Sequence, residues 1–233
     1  MDPVELSREL VEEARASAPV AHLDGLATAL GELAPGGIPG DDARIAFWVN
    51  AYNALVLHEL ARRPRTGNLL RHRGLFREAV YEVDGLRYSL DVIEHGLLRL
   101  NARPPLRLRR TLRLRDPRRA AGPSRLDPRI HFALNCAAAS CPPVRSYSAD
   151  GLDAELDVAT RSYLEAETTI DRGRGRVTLP YLMKLYRRDF GGTAGQIRFA
   201  AAHLSAADAS WLRDPDAFDG RVEYGPYDWT ISA

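Results

Sequence analysis

The amino-acid sequence predicts an α+β fold, with helices around a small, mainly antiparallel sheet, on three observations. Long segments carry apolar residues at helical spacing, two short alternating stretches fold back at glycine-containing turns, and the two kinds of segment follow one another without a β-α-β rhythm. The 233 residues suffice for a sizeable core, and 45% hydrophobic with 27% charged content is ordinary for a globular protein. A net charge of +1 gives no global pull towards nucleic acid or membrane.

Residues 3–33 place Val4, Leu6, Leu10 and Val11, then Leu23, Leu26 and Leu30, at helical spacing, and the break at Ala34-Pro35-Gly36-Gly37 closes a segment read as an N-terminal helical cap, 1–40. The main α+β domain, 41–233, opens with a helix from Asp41 whose acidic start suits the helix dipole. Apolar residues nearly surround it, so it should be buried, with Asn50 and Asn53 on one face. Buried amides need partners, so these two either tie neighbouring loops down or orient a catalytic group.

Asp84-Gly85 centres a hairpin, after which Ser89 or Asp91 can cap a helix carrying Glu94 and His95. In an α-helix those neighbours point about 100° apart, and a lone histidine beside Ile93 and Leu97 is as a rule a satisfied structural one. Residues 101–129 hold ten arginines and read as a long surface connection forming salt bridges; without interleaved aromatics they lack the stacking platforms of an RNA-binding surface. Ser148 is a good N-cap for the next helix, residues 168–179 form a second hairpin, Pro180 starts a further helix, and Ser205 with Asp208 resembles a capping box. The aromatic and β-branched end, GRVEYGPYDWTIS, reads as closing strands.

The stretch DPRIHFALNCAAASCPPVR, residues 127–145, carries the chemistry. Ile130 to Leu134 read as a buried strand that ends at Asn135-Cys136 in a small-residue turn stopped by Pro142-Pro143. Backbone N–H groups at such a turn favour thiolate over thiol and can hold an oxyanion. A buried cysteine also packs as a small hydrophobe, which is the plain alternative. The acidic N-terminus lacks the basic start and apolar core of a signal peptide, and no stretch approaches the roughly 18 apolar residues of a membrane span, so a cytoplasmic location is expected. Two cysteines in one short motif then point to catalysis or redox chemistry ahead of a disulfide framework.

Several motifs in order resemble the family catalogued as domain of unknown function 547, found in bacteria and fused to leucine-zipper segments in plants. They are AFWVNAYNAL at 46–55, YSLDVIEHGLLR at 88–99, DPRIHFALNCAAASCPPVRSYSADGLDAEL at 127–156, LPYLMKLYRRDFGG at 179–192 and YDWT at 227–230. The resemblance weights Asn50, Asn53, Glu94, His95 and Cys136 as family positions, Cys136 above Cys141. It implies an active site assembled from distant segments in a permuted papain-like order, histidine before cysteine. On that reading Cys136 is the nucleophile, His95 the base, and Asn50, Asn53 or Glu94 the group that orients the ring. Arg145, Ser140, Cys141 and His131 are then substrate-binding candidates for a small peptide or γ-glutamyl amide, with no cofactor. The rival is a non-catalytic interaction module with a buried structural cysteine. A zinc site from Cys136, Cys141, His95 and His131 is weaker, because tight C-x2-C or H-x3-H spacing is absent.

Overall fold

The computed structural model describes residues 1–105 and 107–232. It is α+β, and it divides into one unit of Met1–Glu155 with Asp228–Ala233 and a second of Leu156–Tyr227.

The first unit is built on a long helix. Helices α1 (Pro3–Arg15) and α2 (Val20–Gly31) precede α3 (Asp41–Arg62), and α1 packs along α3. Asp2 caps α1 by accepting from the N–H groups of Val4 and Glu5. In α3 an unbroken run from Ile45 to Val56 is buried, so the helix is a core element on every side. Its Trp48 ring lies 4.6 Å from that of Tyr88 and donates Nε1–H to Ala121 O at 2.8 Å. After the short α4 (Leu75–Glu78), strands β1 (Val80–Val83) and β2 (Leu86–Ser89) form the antiparallel hairpin expected about Asp84-Gly85, where both turn residues have positive φ. Burial in this region pushes the Tyr88 phenol up to about 12.

Two segments differ from their sequence reading. Ile130–Leu134 is no strand: Pro128–Phe132 winds as a 3₁₀ helix whose N-cap Asp127 accepts from Arg129 N. Its apolar run reflects burial, which a short buried helix and a short buried strand share. Val92–Leu98 is a π-helix, with Arg99 N donating to Glu94 O, five residues back. Ser89 supplies the cap, its Oγ accepting from Val92 N at 3.3 Å.

The division between units falls within α5 (Leu152–Glu167). In the second unit β3 (Thr169–Asp171) pairs antiparallel with β4 (Arg176–Leu179). Helices α6 (Tyr181–Leu185), α7 (Gly192–His203) and α8 (Ala206–Arg213) follow. Strand β5 (Arg221–Tyr224) then joins β4 in parallel, completing a three-stranded sheet. Ser205 caps α8 through Asp208 N, as its sequence suggests. The last residues return to the first unit, where Thr230 and Ile231 bridge to Asn68 and Ala138.

Asn50 Nδ2 and Oδ1 bind Tyr147 O and N, at 2.8 and 2.9 Å, so Asn50→Ala strands two backbone groups and should cost about 2–4 kcal/mol in urea unfolding. Tyr147→Phe should go the other way or be neutral, because the Tyr147 hydroxyl is buried with no partner among the described residues.

Candidate functional site

The site is assembled on one turn of α3. Asn53, fully buried, donates Nδ2 to Ala133 O at 2.9 Å and accepts from Asn135 N at 2.9 Å. Its amide thus mimics a strand neighbour for the backbone immediately before Cys136. Tyr52, the preceding residue, turns its hydroxyl to Glu94 Oε2 at 3.3 Å. Adjacent side chains of one buried helix therefore hold the cysteine loop and the Glu94-His95 segment. Asn50, one turn earlier, holds the far end of the loop at Tyr147.

The cysteine loop is a closed network. Asn135 Oδ1 accepts from Ala137 N at 2.6 Å and Nδ2 donates to Pro142 O at 2.6 Å, stapling both ends of the turn. Cys141 N donates to Ala138 O, Ala139 N to Thr230 O and Ser140 N to Asp228 O, while Ser140 Oγ accepts from Asp228 N. Ala137 sits at φ +68°, in the left-handed region that costs an L-residue roughly 1–2 kcal/mol. The C-terminal segment and Asn135 together hold that conformation. Both cysteines are free and half-buried, with Cys136 Sγ 2.7 Å from Cys141 Sγ and Cys136 N donating to Cys141 Sγ at 3.1 Å.

The N–H groups of residues 136, 137, 139, 140 and 141 have acceptors, whereas that of the buried Ala138 has none among the described residues. Ala138 N–H is therefore the loop amide left to donate.

His95 lies in a buried charged cluster with Asp91, Glu94 and Arg99, each no more than 7% exposed. Arg99 Nη1 stands 3.0 Å from His95 Nδ1, and because a guanidinium only donates, Nδ1 carries the lone pair there. Glu94 Oε1 is 3.5 Å from the same nitrogen and Asp91 Oδ1 is 3.9 Å from Nε2. The π-winding thus brings the Glu94 carboxylate to the ring of its neighbour, where an α-helix would point them apart. Burial lowers the His95 pKa most, Glu94 raises it, and Arg99 lowers it again. A neutral ring able to accept a proton results.

His131 is buried on the 3₁₀ helix. Arg145 is half-buried and makes no ion pair among the described residues. Among the described residues no group of three or more His, Cys, Asp or Glu side chains is placed to hold a metal ion. Two participants escaped sequence reading, Tyr52 and Arg99. The spacing of Asp91, His95 and Arg99, four residues apart each time, is the signal that would have found the second.

One buried helix thus ties down both the cysteine loop and the Glu94-His95 segment within an α+β fold. The family profile described as "Protein of unknown function, DUF547" matches residues 38–164, more than half of the chain, and the protein belongs to that family. No curated protein and no solved structure matches it. Among the described residues no helix is long and apolar enough to cross a membrane.

Burial also lowers the pKa of His58. Both histidines then bind protons less readily folded than unfolded, so the unfolded chain gains protons first as pH falls below its reference of about 6.5. Stability should therefore drop as pH falls below about 6.5, and His95→Gln should flatten that slope in urea unfolding; an unchanged slope would show that His95 does not contribute to it.

Proposed function

We propose that the protein is a cysteine-dependent hydrolase or acyl transferase acting in the cytoplasm on a small peptide or γ-glutamyl-type amide. One observation carries this reading: Tyr52 and Asn53, neighbours on α3, tether the Glu94-His95 segment and the backbone entering Cys136. The order, histidine before cysteine, suits a permuted papain-like arrangement.

In the proposed reaction the His95 ring gives up its Arg99 contact and takes the tautomer with its proton on Nδ1 facing Glu94 Oε1, so that Nε2 accepts the proton of Cys136 Sγ. The thiolate adds to the amide carbonyl and Ala138 N–H stabilises the oxyanion. The carbon–nitrogen bond breaks, the amine leaves with the proton from His95, and a thioester remains on Cys136. Water or a second amine, deprotonated by His95, then releases the acyl group. Asn50 and Asn53 act as positioning residues through backbone, and Arg145, just past the cysteine loop and without an ion pair among the described residues, is the cation for a substrate carboxylate. Ser140, Cys141 and His131 complete the substrate-facing set in this reading.

The competing reading, a non-catalytic interaction module, draws on the same network, since Asn50 and Asn53 spend their amides on loop backbone. Acylation separates the two. Incubation with p-nitrophenyl esters and γ-glutamyl p-nitroanilide, followed by intact mass and peptide mapping, should show one acyl group on Cys136. Cys136→Ser should abolish it, and His95→Gln should slow it by about 10²-fold or more. Because the Glu94 charge raises the His95 pKa, Glu94→Gln should move the acid limb of the rate profile to lower pH. A folded protein that is never acylated on Cys136 would favour the module.

A further inference from the structure

A second feature lies in the first unit, beside Asp91. Arg77 of α4, Asp91, and Arg107, Arg109, Arg110 and Thr111 of the arginine-rich connection line a cavity of about 640 Å³. That is the size of a small-molecule site.

The polar part of the lining is mostly donating, while Val92, Pro104 and Leu108 make the larger share of the surface apolar. Guanidinium groups only donate hydrogen bonds, and the single carboxylate is already engaged, Asp91 Oδ2 accepting from Arg107 Nη1 at 2.5 Å. Arg110 is oriented by donating Nη1 to Asn101 O at 3.0 Å. Arg77 and Arg109 make no ion pair among the described residues, although like charges brought to one cavity repel.

We propose that this cavity binds a phosphate-bearing small molecule, a phosphate ester or pyrophosphate. Arginine forks match phosphate oxygens in pairs, and a phosphate supplies several acceptors with no donor. The volume exceeds that of one phosphate group, so an organic portion occupies the remainder. Asp91, whose other oxygen faces His95 Nε2 at 3.9 Å, places the bound molecule next to the histidine cluster. The binding does not depend on Cys136 being a nucleophile.

The test is isothermal titration of the full chain with inorganic pyrophosphate, ADP and citrate. One-to-one saturable binding of pyrophosphate and ADP is expected, tighter than citrate, weakening as salt rises from about 50 to 200 mM. Arg77→Ala with Arg109→Ala should weaken it at least tenfold. Both side chains are exposed, so the variant should stay folded by circular dichroism. Arg77→Lys with Arg109→Lys, which keeps the charge and removes the forked donors, should weaken it several-fold and serves as the second variant. Citrate binding as tightly as pyrophosphate, or affinity unchanged in both variants, would overturn the proposal.

Discussion

The structure depends on buried side-chain amides that act as backbone. Asn53 has one donor pair and one acceptor, and it places both on the chain just before Cys136, at Ala133 O and Asn135 N. Asn50 does the same for Tyr147. A loop of small residues and prolines cannot satisfy its own polar groups in a buried position, so the helix does it instead. Once that is fixed, the positive φ of Ala137 and the closeness of the two sulfurs follow from a loop held at both ends. Strain in this place is sustained because the surroundings over-determine it.

The same helix turn reaches the charged cluster through Tyr52, and there opposing charges balance. Asp91 and Glu94 are buried carboxylates, and Arg99 with Arg107 supplies the opposing charges. His95 is left neutral among them, mainly because its site disfavours a charged ring. A ring in that state accepts a proton and does not start with one, which is the requirement for a base. Arg99 and Glu94 approach the same Nδ1, and the shorter Arg99 contact selects the ring with its lone pair there.

Much of this was legible in the residues. The central helix, the Asp84-Gly85 hairpin, the Ser89 and Ser205 caps and the returning C-terminal segment all rest on local rules of spacing and turn chemistry. The paired asparagines announced a buried polar role, and the structure spends them on loops. The 3₁₀ segment at Pro128–Phe132 was not legible, because five apolar-rich residues fit a buried strand and a buried turn equally. Nor was the π-winding at Val92–Leu98, whose pattern differs from an α-helix by one residue in the turn. The engagement of Cys136 N with Cys141 Sγ, and of Ala137 N with Asn135, depends on tertiary closure that no periodicity encodes.

The measurement that bears most directly on a working cysteine is the pH dependence of Cys136 alkylation by iodoacetamide, in Cys141→Ala protein with and without His95→Ala. A populated thiolate well below the reference pKa of about 8.5, lost when His95 is removed, is the result this account predicts. A thiol that stays unreactive until the protein unfolds would contradict it and leave Cys136 as a packing residue of the loop.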